Sequence, residues 1–349
     1  MIDYLWTYRA PIITVLMIFV AFNALILASA GLVYWERKLM GFMQQRYGPY
    51  LVGPYGTLQP FADILKLLFK EELRPKGADK WLFTLAPVLS VVAAFTAFAT
   101  VPFGPETTLW GLLDEPIKLG ASDVNVGVLV VFAVTSMGVY GIVLAGWSSN
   151  SKYSLFGGLR ASAQMISYEL SYATALAAVI LLGGSLSLRE VVDSQAGFWS
   201  WLPILPRWYL FLQPLGFLIY MIAGIAETNR APFDFPEAEQ ELVAGYNTEY
   251  SSVRFALFPQ AEYINMVTMS AVATSLYLGG WHFPGVPESL GVIVFLAKVA
   301  AILFFYIWMR WTVPRYRYDQ LMTFGWKWLF PASVVNLLAT AALVLYFNA

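Results

Sequence analysis

The chain has 349 residues, of which 59% are hydrophobic and 12% are charged. Soluble globular domains carry about 25% charged residues, so lipid is expected to be the main solvent of this protein. Cysteine is absent and histidine occurs once, at His282. This composition excludes iron–sulfur and zinc sites built by the chain itself. If the protein serves electron transfer, another chain must supply the electrons.

Eight uncharged or nearly uncharged stretches are long enough to cross a hydrocarbon core, which takes about 20 helical residues. The first has no basic n-region and no small-residue cleavage site, so we expect it to stay as a span rather than act as a signal peptide. The sequence predicts an all-α, polytopic membrane protein with one transmembrane domain, 1–349. The spans are predicted at 10–35, 81–105, 124–151, 161–183, 208–226, 263–281, 289–309 and 328–349.

The basic residues indicate the orientation of these spans. The connections after spans one, three, five and seven hold 16 of the 21 Lys and Arg residues. Because cytoplasmic loops are enriched in Lys and Arg, we expect these connections inside. Both termini are then predicted to be periplasmic, with the long connections 36–80 and 227–262 in the cytoplasm.

An amphipathic stretch follows the first span, from Thr57 to Glu72. Phe61, Leu65 and Leu68 alternate at helical spacing with charged residues such as Asp63. The stretch is too short and too charged to span, so it should lie in the membrane interface. Two interpretations stay open, an anchoring helix or the lip of an opening for a lipid-soluble substrate.

Two predicted spans contain an ionisable residue, Glu169 in the fourth and Lys298 in the seventh. A charge near the centre of a span costs about 2.5–3.5 kcal/mol, so each side chain should face protein or water. For Glu169 we favour a functional role. For Lys298 a functional role, an ion pair with a carboxylate of a neighbouring helix and snorkelling to the interface remain alternatives.

The 227–262 connection is rich in acidic residues and aromatic side chains. Pro236 and Gly245 predict a short helix over 236–244, on which Glu237 and Glu241 would share a face and a proton. A solvated acidic loop is the alternative, but the interleaved aromatic residues favour the floor of a polar pocket. The acids are Glu227, Asp234, Glu237, Glu239, Glu241, Glu249 and Glu262, against the bases Arg230 and Arg254.

Two further connections combine Trp, Tyr, Ser, Asn and Arg: 146–153 with Arg160, and 314–322. Their basic residues satisfy the rule for cytoplasmic loops. Their composition is also typical of a docking surface for another protein.

Together these segments resemble one family, the H subunit of the proton-pumping NADH:quinone oxidoreductase, respiratory complex I, also called NADH dehydrogenase subunit one. The matching segments stand in the family's order over nearly the whole chain. They are Glu36-Arg37-Lys38, Arg46-x-Gly48-Pro49, Gly53-Pro54, Leu58-Gln59-Pro60-x-Ala62-Asp63, 146–153, Ser167-Tyr168-Glu169, 227–250 and 314–322.

The resemblance implies an eight-span subunit of the bacterial inner membrane that forms much of the quinone chamber and couples quinone reduction to proton translocation. It implies that this chain binds no cofactor, while NAD, FMN and iron–sulfur clusters belong to partner subunits. The implied partners are peripheral-arm subunits B, D and I, membrane subunits A, J and K, lipid and quinone, with no nucleic acid.

The resemblance also implies roles for particular residues. Catalytic and metal-binding residues are not expected. Residues of the chamber or its entrance are Arg37, Arg46, Asp63, Arg230 and Phe233. Proton-coupling residues are Glu169, Glu227, Asp234, Glu237, Glu239, Glu241, Glu249, Glu262 and Lys298. Their basic partners are Arg160, Arg315 and Arg317.

The sequence departs from the family pattern at a few loop positions, including Tyr50, Thr57 and Ser252. Two other classes of protein remain as alternatives. A secondary transporter would also hold buried charges but should show paired broken helices. A membrane anchor of a hydrogenase-type complex shares the ancestry and needs no quinone.

Overall fold

A computed structural model describes residues 9–108, 116–199, 202–234 and 244–348. In these residues the fold is almost entirely helical, which confirms the predicted all-α class. Two small antiparallel sheets are present, in which β1 (Glu106–Thr107) pairs with β2 (Ile117–Lys118) and β3 (Phe198–Trp199) pairs with β4 (Leu202–Pro206). The helices are α1 (Arg9–Met43), α2 (Gln59–Phe69), α3 (Lys80–Ala99), α4 (Gly127–Ser148), α5 (Lys152–Gly183), α6 (Leu188–Asp193), α7 (Pro214–Glu227), α8 (Ser252–Tyr277), α9 (Gly291–Thr312), α10 (Tyr318–Phe324) and α11 (Phe330–Asn348).

Six helical segments of the described residues are long and apolar enough to cross a membrane. They coincide with predicted spans one to four, seven and eight, so the protein is a multi-pass membrane protein. Spans five and six coincide with α7 and α8. Helix α7 has 14 residues, about 21 Å at 1.5 Å per residue, and α8 carries Arg254 and Glu262. The segments are Ile12–Met43, Lys80–Ala99, Gly127–Ser148, Lys152–Gly183, Glu288–Thr312 and Tyr318–Tyr346.

Three helices extend beyond the predicted spans into charged sequence. Helix α1 continues to Met43, α5 begins at Lys152 and α8 begins at Ser252. The added turns carry charged residues that pack against protein, such as Glu36, whose side chain is buried. Hydropathy alone ends a span at such residues, because it does not register burial inside the bundle.

The predicted amphipathic helix is confirmed as α2. Its apolar side chains, including Phe61, Leu65 and Leu68, are exposed in the described chain. Arg37 of α1 forms a 2.6 Å ion pair with Asp63 on the other face. Helix α2 therefore keeps a polar tie to the bundle and presents an apolar face that lipid or a partner can cover.

The last span contains a π turn, Gly325–Leu329, which joins α10 to α11. The indole Nε1 of Trp326 in this turn donates to Ser167 Oγ of α5 at 3.2 Å. Further along, Ser333 hydrogen-bonds Thr174, and the Asn336 amide donates to Gln213 Oε1 at 2.8 Å. Polar contacts thus fix α11 against α5 and the start of α7.

Candidate functional site

A cluster of opposite charges is buried at the end of the bundle that holds the two long connections. We call Glu36, Arg230, Glu262 and Arg310 the buried charge cluster. Arg310 Nη1 donates to Glu36 Oε1. Arg230 Nη1 lies 3.7 Å from Glu36 Oε2, and its Nη2 lies 4.0 Å from Glu262 Oε2. Two carboxylates from distant parts of the chain therefore share a guanidinium away from water.

Tyrosine side chains complete this cluster. Tyr263 OH donates to Glu36 Oε2 at 2.8 Å, and Tyr246 OH donates to Glu262 Oε1 at 3.4 Å. The Arg230 guanidinium also lies 4.2 Å from the centre of the Tyr263 ring, a favourable cation–π distance. Hydrogen bonds and opposite charges thus offset much of the cost of burying these ions.

The local sequence after α7 explains why Arg230 reaches the cluster. Asn229 has φ of 51°, a left-handed conformation that Asn tolerates better than most residues. The Asn229 N–H donates to Ala226 O and the Arg230 N–H donates to Ile225 O, both at 3.3 Å. This pair of bonds is a Schellman helix end. It places Glu227, Asn229 and Arg230 together on one tight turn.

Glu227 and Glu169 extend the row of acidic groups away from the cluster. Glu227 is the last residue of α7 and is buried, and it lines a small cavity together with Glu262. Glu169 in α5 accepts a hydrogen bond from Ser136 of α4. The charges of Glu169 and Glu227 repel each other. Glu227 therefore interacts with Glu169 on one side and shares a cavity with Glu262 on the other.

The predicted entrance residues do not all come together. Arg37 and Asp63 form the ion pair described above, and Gln59 Nε2 donates to Asp63 Oδ1 at 2.9 Å. Arg46 is exposed and donates to Gln44 Oε1 at 2.7 Å. Of these predicted entrance residues, Arg37 and Asp63 thus connect α1 with α2, and Arg46 does not.

The start of the acidic connection is tied to the segment before α10. The Phe233 ring is buried, and its centre lies 5.4 Å from that of Tyr168 and 5.9 Å from that of Tyr316. Arg315 Nη2 donates to the Asp234 carbonyl and lies 3.9 Å from Asp234 Oδ2. Phe233 therefore holds the connection against α5, and Asp234 holds it against the segment before α10.

The other predicted residues are more dispersed. The Arg160 guanidinium lies 5.8 Å from the centre of the Tyr318 ring. Arg317 pairs with Asp319 at 2.9 Å on an exposed surface, and Glu249 is half-buried. Glu237, Glu239, Glu241 and most of the predicted 236–244 helix lie outside the described residues.

Lys298 does not pair with a carboxylate in the part of the chain that the structure describes. Its Nζ donates to the backbone carbonyls of Leu278, Gly280 and His282 at 2.6, 2.9 and 2.8 Å. It also lies 4.6 Å from the centre of a Trp208 ring. The described residues thus offer no acidic partner, and carbonyls of the turn that follows α8, which ends at Tyr277, receive the ammonium instead.

Sequence reasoning missed three members of the site: Glu36, Tyr263 and Arg310. Glu36 was recognised only as part of a motif. Arg310 directly follows a predicted span, where an Arg is already explained by the topology rule. Tyr263 follows Glu262 at the predicted start of span six, and nothing in the sequence alone indicates its bond to a residue 227 positions away.

Comparison with known proteins identifies the family. Residues 14–341 match the family model described as NADH dehydrogenase. The H 2 subunit of the NADH-quinone oxidoreductase of Koribacter versatilis is 51% identical over 352 residues, with 96% of each chain covered. Its namesake from Geobacter metallireducens is 50% identical over 346 residues, covering 97% of this chain and 96% of the relative. Subunit 8 of the Rhodothermus marinus enzyme is 47% identical over 350 residues, covering 96% and 98%. The chain therefore belongs to the NADH dehydrogenase family, as a subunit of the H type of NADH-quinone oxidoreductase, respiratory complex I.

Proposed function

We propose that this subunit encloses much of the quinone-binding chamber and couples quinone reduction to proton translocation through a chain of carboxylates. The observation that carries the proposal is the buried charge cluster. Glu36 and Glu262 are held beside Arg230 with 5% and 9% of their surface exposed. Ionisable groups buried in this way are expensive and are typical of functional sites in membrane proteins.

The physics of the cluster explains how it can sense a reaction. Reducing a quinone to a quinol adds two electrons and takes up two protons, so the headgroup is negatively charged between electron arrival and proton uptake, and groups that supply the protons lose positive charge. Two unit charges 4 Å apart interact by about 4 kcal/mol at an effective dielectric constant of 20, against about 1 kcal/mol in water. A charge change beside the cluster therefore alters the protonation of its carboxylates, whereas the same change in solvent would be screened.

The arrangement of the acids supports a direction for this response. Glu262 belongs to the cluster and shares a cavity with Glu227, and the charge of Glu227 acts on that of Glu169. We propose that protonation changes pass along these three groups into the membrane arm. Asp234, Glu237, Glu239 and Glu241 would titrate as a coupled group beneath the chamber.

Quinone is lipid-soluble, whether ubiquinone or menaquinone, and needs an opening from the membrane. The exposed apolar face of α2, joined to α1 by Arg37 and Asp63, is suited to form the lip of that opening. Of the two interpretations of this helix, we propose the entrance. Phe233, buried between two tyrosines, would line the chamber on the opposite side.

The proposal includes orientation and assembly in the bacterial inner membrane. Both termini would be periplasmic, and the two long connections would face the cytoplasm, where subunits B, D and I dock. Subunits A, J and K would cover membrane-facing helices. Exposed aromatic side chains near the long connections, such as Trp147 and Tyr153, support such docking. NAD, FMN and iron–sulfur clusters would reside in the partners and deliver electrons.

Single and paired substitutions in the assembled complex test this function. Glu227→Gln and Glu241→Gln are expected to lower quinone reduction or proton pumping by at least tenfold. Each replaces a carboxyl group by an amide of about the same size that cannot bind or release a proton. Oxidation of NADH by a water-soluble acceptor should stay unchanged and reports intact assembly. The matched control is Glu288→Gln, an exposed acid in the connection before α9. A Glu227→Gln, Glu241→Gln double variant that assembles, reduces quinone and pumps normally would overturn the proposal.

A further inference from the structure

Glu227 and Glu262 both line one small cavity. Its volume is about 20 Å³, and its lining includes Asn229, Asn265 and Thr228. A cavity holds a water molecule when it offers about 10–15 Å³ and two to four polar partners. This cavity therefore has room for one water and too little for two.

Two buried amides face this cavity with an unused acceptor. The Oδ1 atoms of Asn229 and Asn265 have no hydrogen-bond partner among the described residues. Only 4% of Asn229 is exposed, and its amide nitrogen is directed at the Met165 sulfur, 3.8 Å away. An unsatisfied buried acceptor costs about 1–3 kcal/mol. We therefore expect each amide to form a hydrogen bond inside the cavity.

We infer that one water molecule occupies this cavity and bridges Glu227 to Glu262, and that Asn229 and Asn265 are the residues that position it. The inference rests on the proposed function, because it supplies the step between two of the proposed coupling carboxylates. The water gives one hydrogen to the ionised carboxylate and the other to one amide oxygen. Its lone pairs accept hydrogen bonds from the protonated carboxyl group and, with the second amide turned, from that amide's NH₂ group.

The water provides a balanced path for one proton. The O–H bond of protonated Glu262 breaks as a new O–H bond forms on the water. At the same time one of the water's own O–H bonds breaks, and its proton binds the ionised Glu227 carboxylate. One proton has then moved from Glu262 to Glu227, the water is regenerated, and no electrons are exchanged.

The surrounding charges favour a neutral molecule over a metal cation. Glu262 already lies 4.0 Å from Arg230 Nη2, so its negative charge is largely balanced. The amide oxygens add no charge. The described residues include no group of three or more His, Cys, Asp or Glu that could hold a metal ion.

Local geometry allows each amide to be removed cleanly. Asn229 has a left-handed backbone, which Gly adopts without strain, so Asn229→Gly keeps the turn and deletes the amide. Asn265 stands three residues after Glu262 on α8, on the same face of the helix. Asn265→Leu keeps the branched shape of the side chain and removes the polar group, while Asn265→Thr restores a hydroxyl.

The test uses redox-induced infrared difference spectra and proton pumping of the assembled complex. We expect a water O–H band that shifts in H₂¹⁸O and disappears in Asn265→Leu and Asn229→Gly. Pumping should fall about tenfold in both variants and recover in part in Asn265→Thr. The control is Asn23→Leu, since the Asn23 amide donates to the Phe19 carbonyl of its own helix on an exposed face.

Each outcome of this test is decisive. Retention of the water band and of full pumping in Asn265→Leu and Asn229→Gly overturns the inference, and so does a requirement for Na⁺ in place of the water band. If Glu227→Gln stops pumping while both Asn variants pump normally, only the water bridge fails. If Glu227→Gln pumps normally, the proposed carboxylate path itself fails.

Discussion

Arg230→Met removes a cation that contacts both Glu36 and Glu262. The methionine side chain keeps the apolar stem but ends where the guanidinium begins, so Glu262 loses the charge 4.0 Å away and Glu36 loses the one at 3.7 Å. Glu36 keeps Arg310. The substitution therefore weakens the electrostatic support of Glu262 more than that of Glu36.

The size of the effect follows from these distances. Each contact corresponds to about 4 kcal/mol of attraction at an effective dielectric constant of 20. Breaking a buried pair by removing one partner typically costs about 3–5 kcal/mol. At about 1.4 kcal/mol per factor of ten, we expect quinone reduction to fall by about 10²- to 10³-fold.

A double-mutant cycle on the quinone-reductase rate checks this reasoning. Adding Glu262→Gln to Arg230→Met should restore at least tenfold of the lost rate, because it removes the carboxylate that lost the Arg230 guanidinium. Arg230→Lys, which keeps the charge but loses the planar group over Tyr263, should fall between the wild type and Arg230→Met. A fully active Arg230→Met, or strictly additive effects in the cycle, would refute the electrostatic account.

Three further predictions concern other parts of the chain. Lys298→Met deprives three carbonyls in the turn that follows α8 of their donor. Heat inactivation should then occur at lower temperature, by an amount corresponding to about 3 kcal/mol, with the ratio of protons pumped to electrons unchanged. A changed ratio would instead support a coupling role. Arg37→Met breaks a partly exposed pair with Asp63, so stability should change by about 1 kcal/mol or less. The quinone concentration for half-maximal rate should rise. If that concentration stays unchanged, the entrance role of α2 is contradicted. Burial raises the pKa of Tyr250 to about 12, against about 10 in an unfolded chain, so stability should hold below pH 10 and decline as pH rises toward 12. Tyr250→Phe should lessen that alkaline decline when heat inactivation is measured over a series of pH values. If the variant declines as the wild type does, Tyr250 is not the group responsible.

Hydropathy and charge predicted the helical membrane fold well, because long apolar runs can be satisfied in lipid only as helices. The site was harder to predict, since its members are separated by up to 274 residues, as Arg310 is from Glu36. The sequence places Glu262 at the end of a connection, yet it lies well inside α8. Its carboxylate is surrounded there by protein and not by lipid. A single sequence shows which ionisable residues lie within apolar stretches but not which of them are in contact. Those contacts depend on the packing of α1 against α8 and α9.

The π turn at Gly325–Leu329 sets the angular phase of the last helix. A π turn holds one residue more than the α-helix it interrupts, and each residue turns an α-helix by about 100°. If the same residues wound as a regular α-helix, everything beyond the turn would rotate by about 100°. Ser333 would then point away from Thr174, and Asn336 away from Gln213. The C-terminal span therefore depends on the extra residue of this turn for its polar contacts, whereas deleting one residue here would restore an α-helix with those contacts kept in phase.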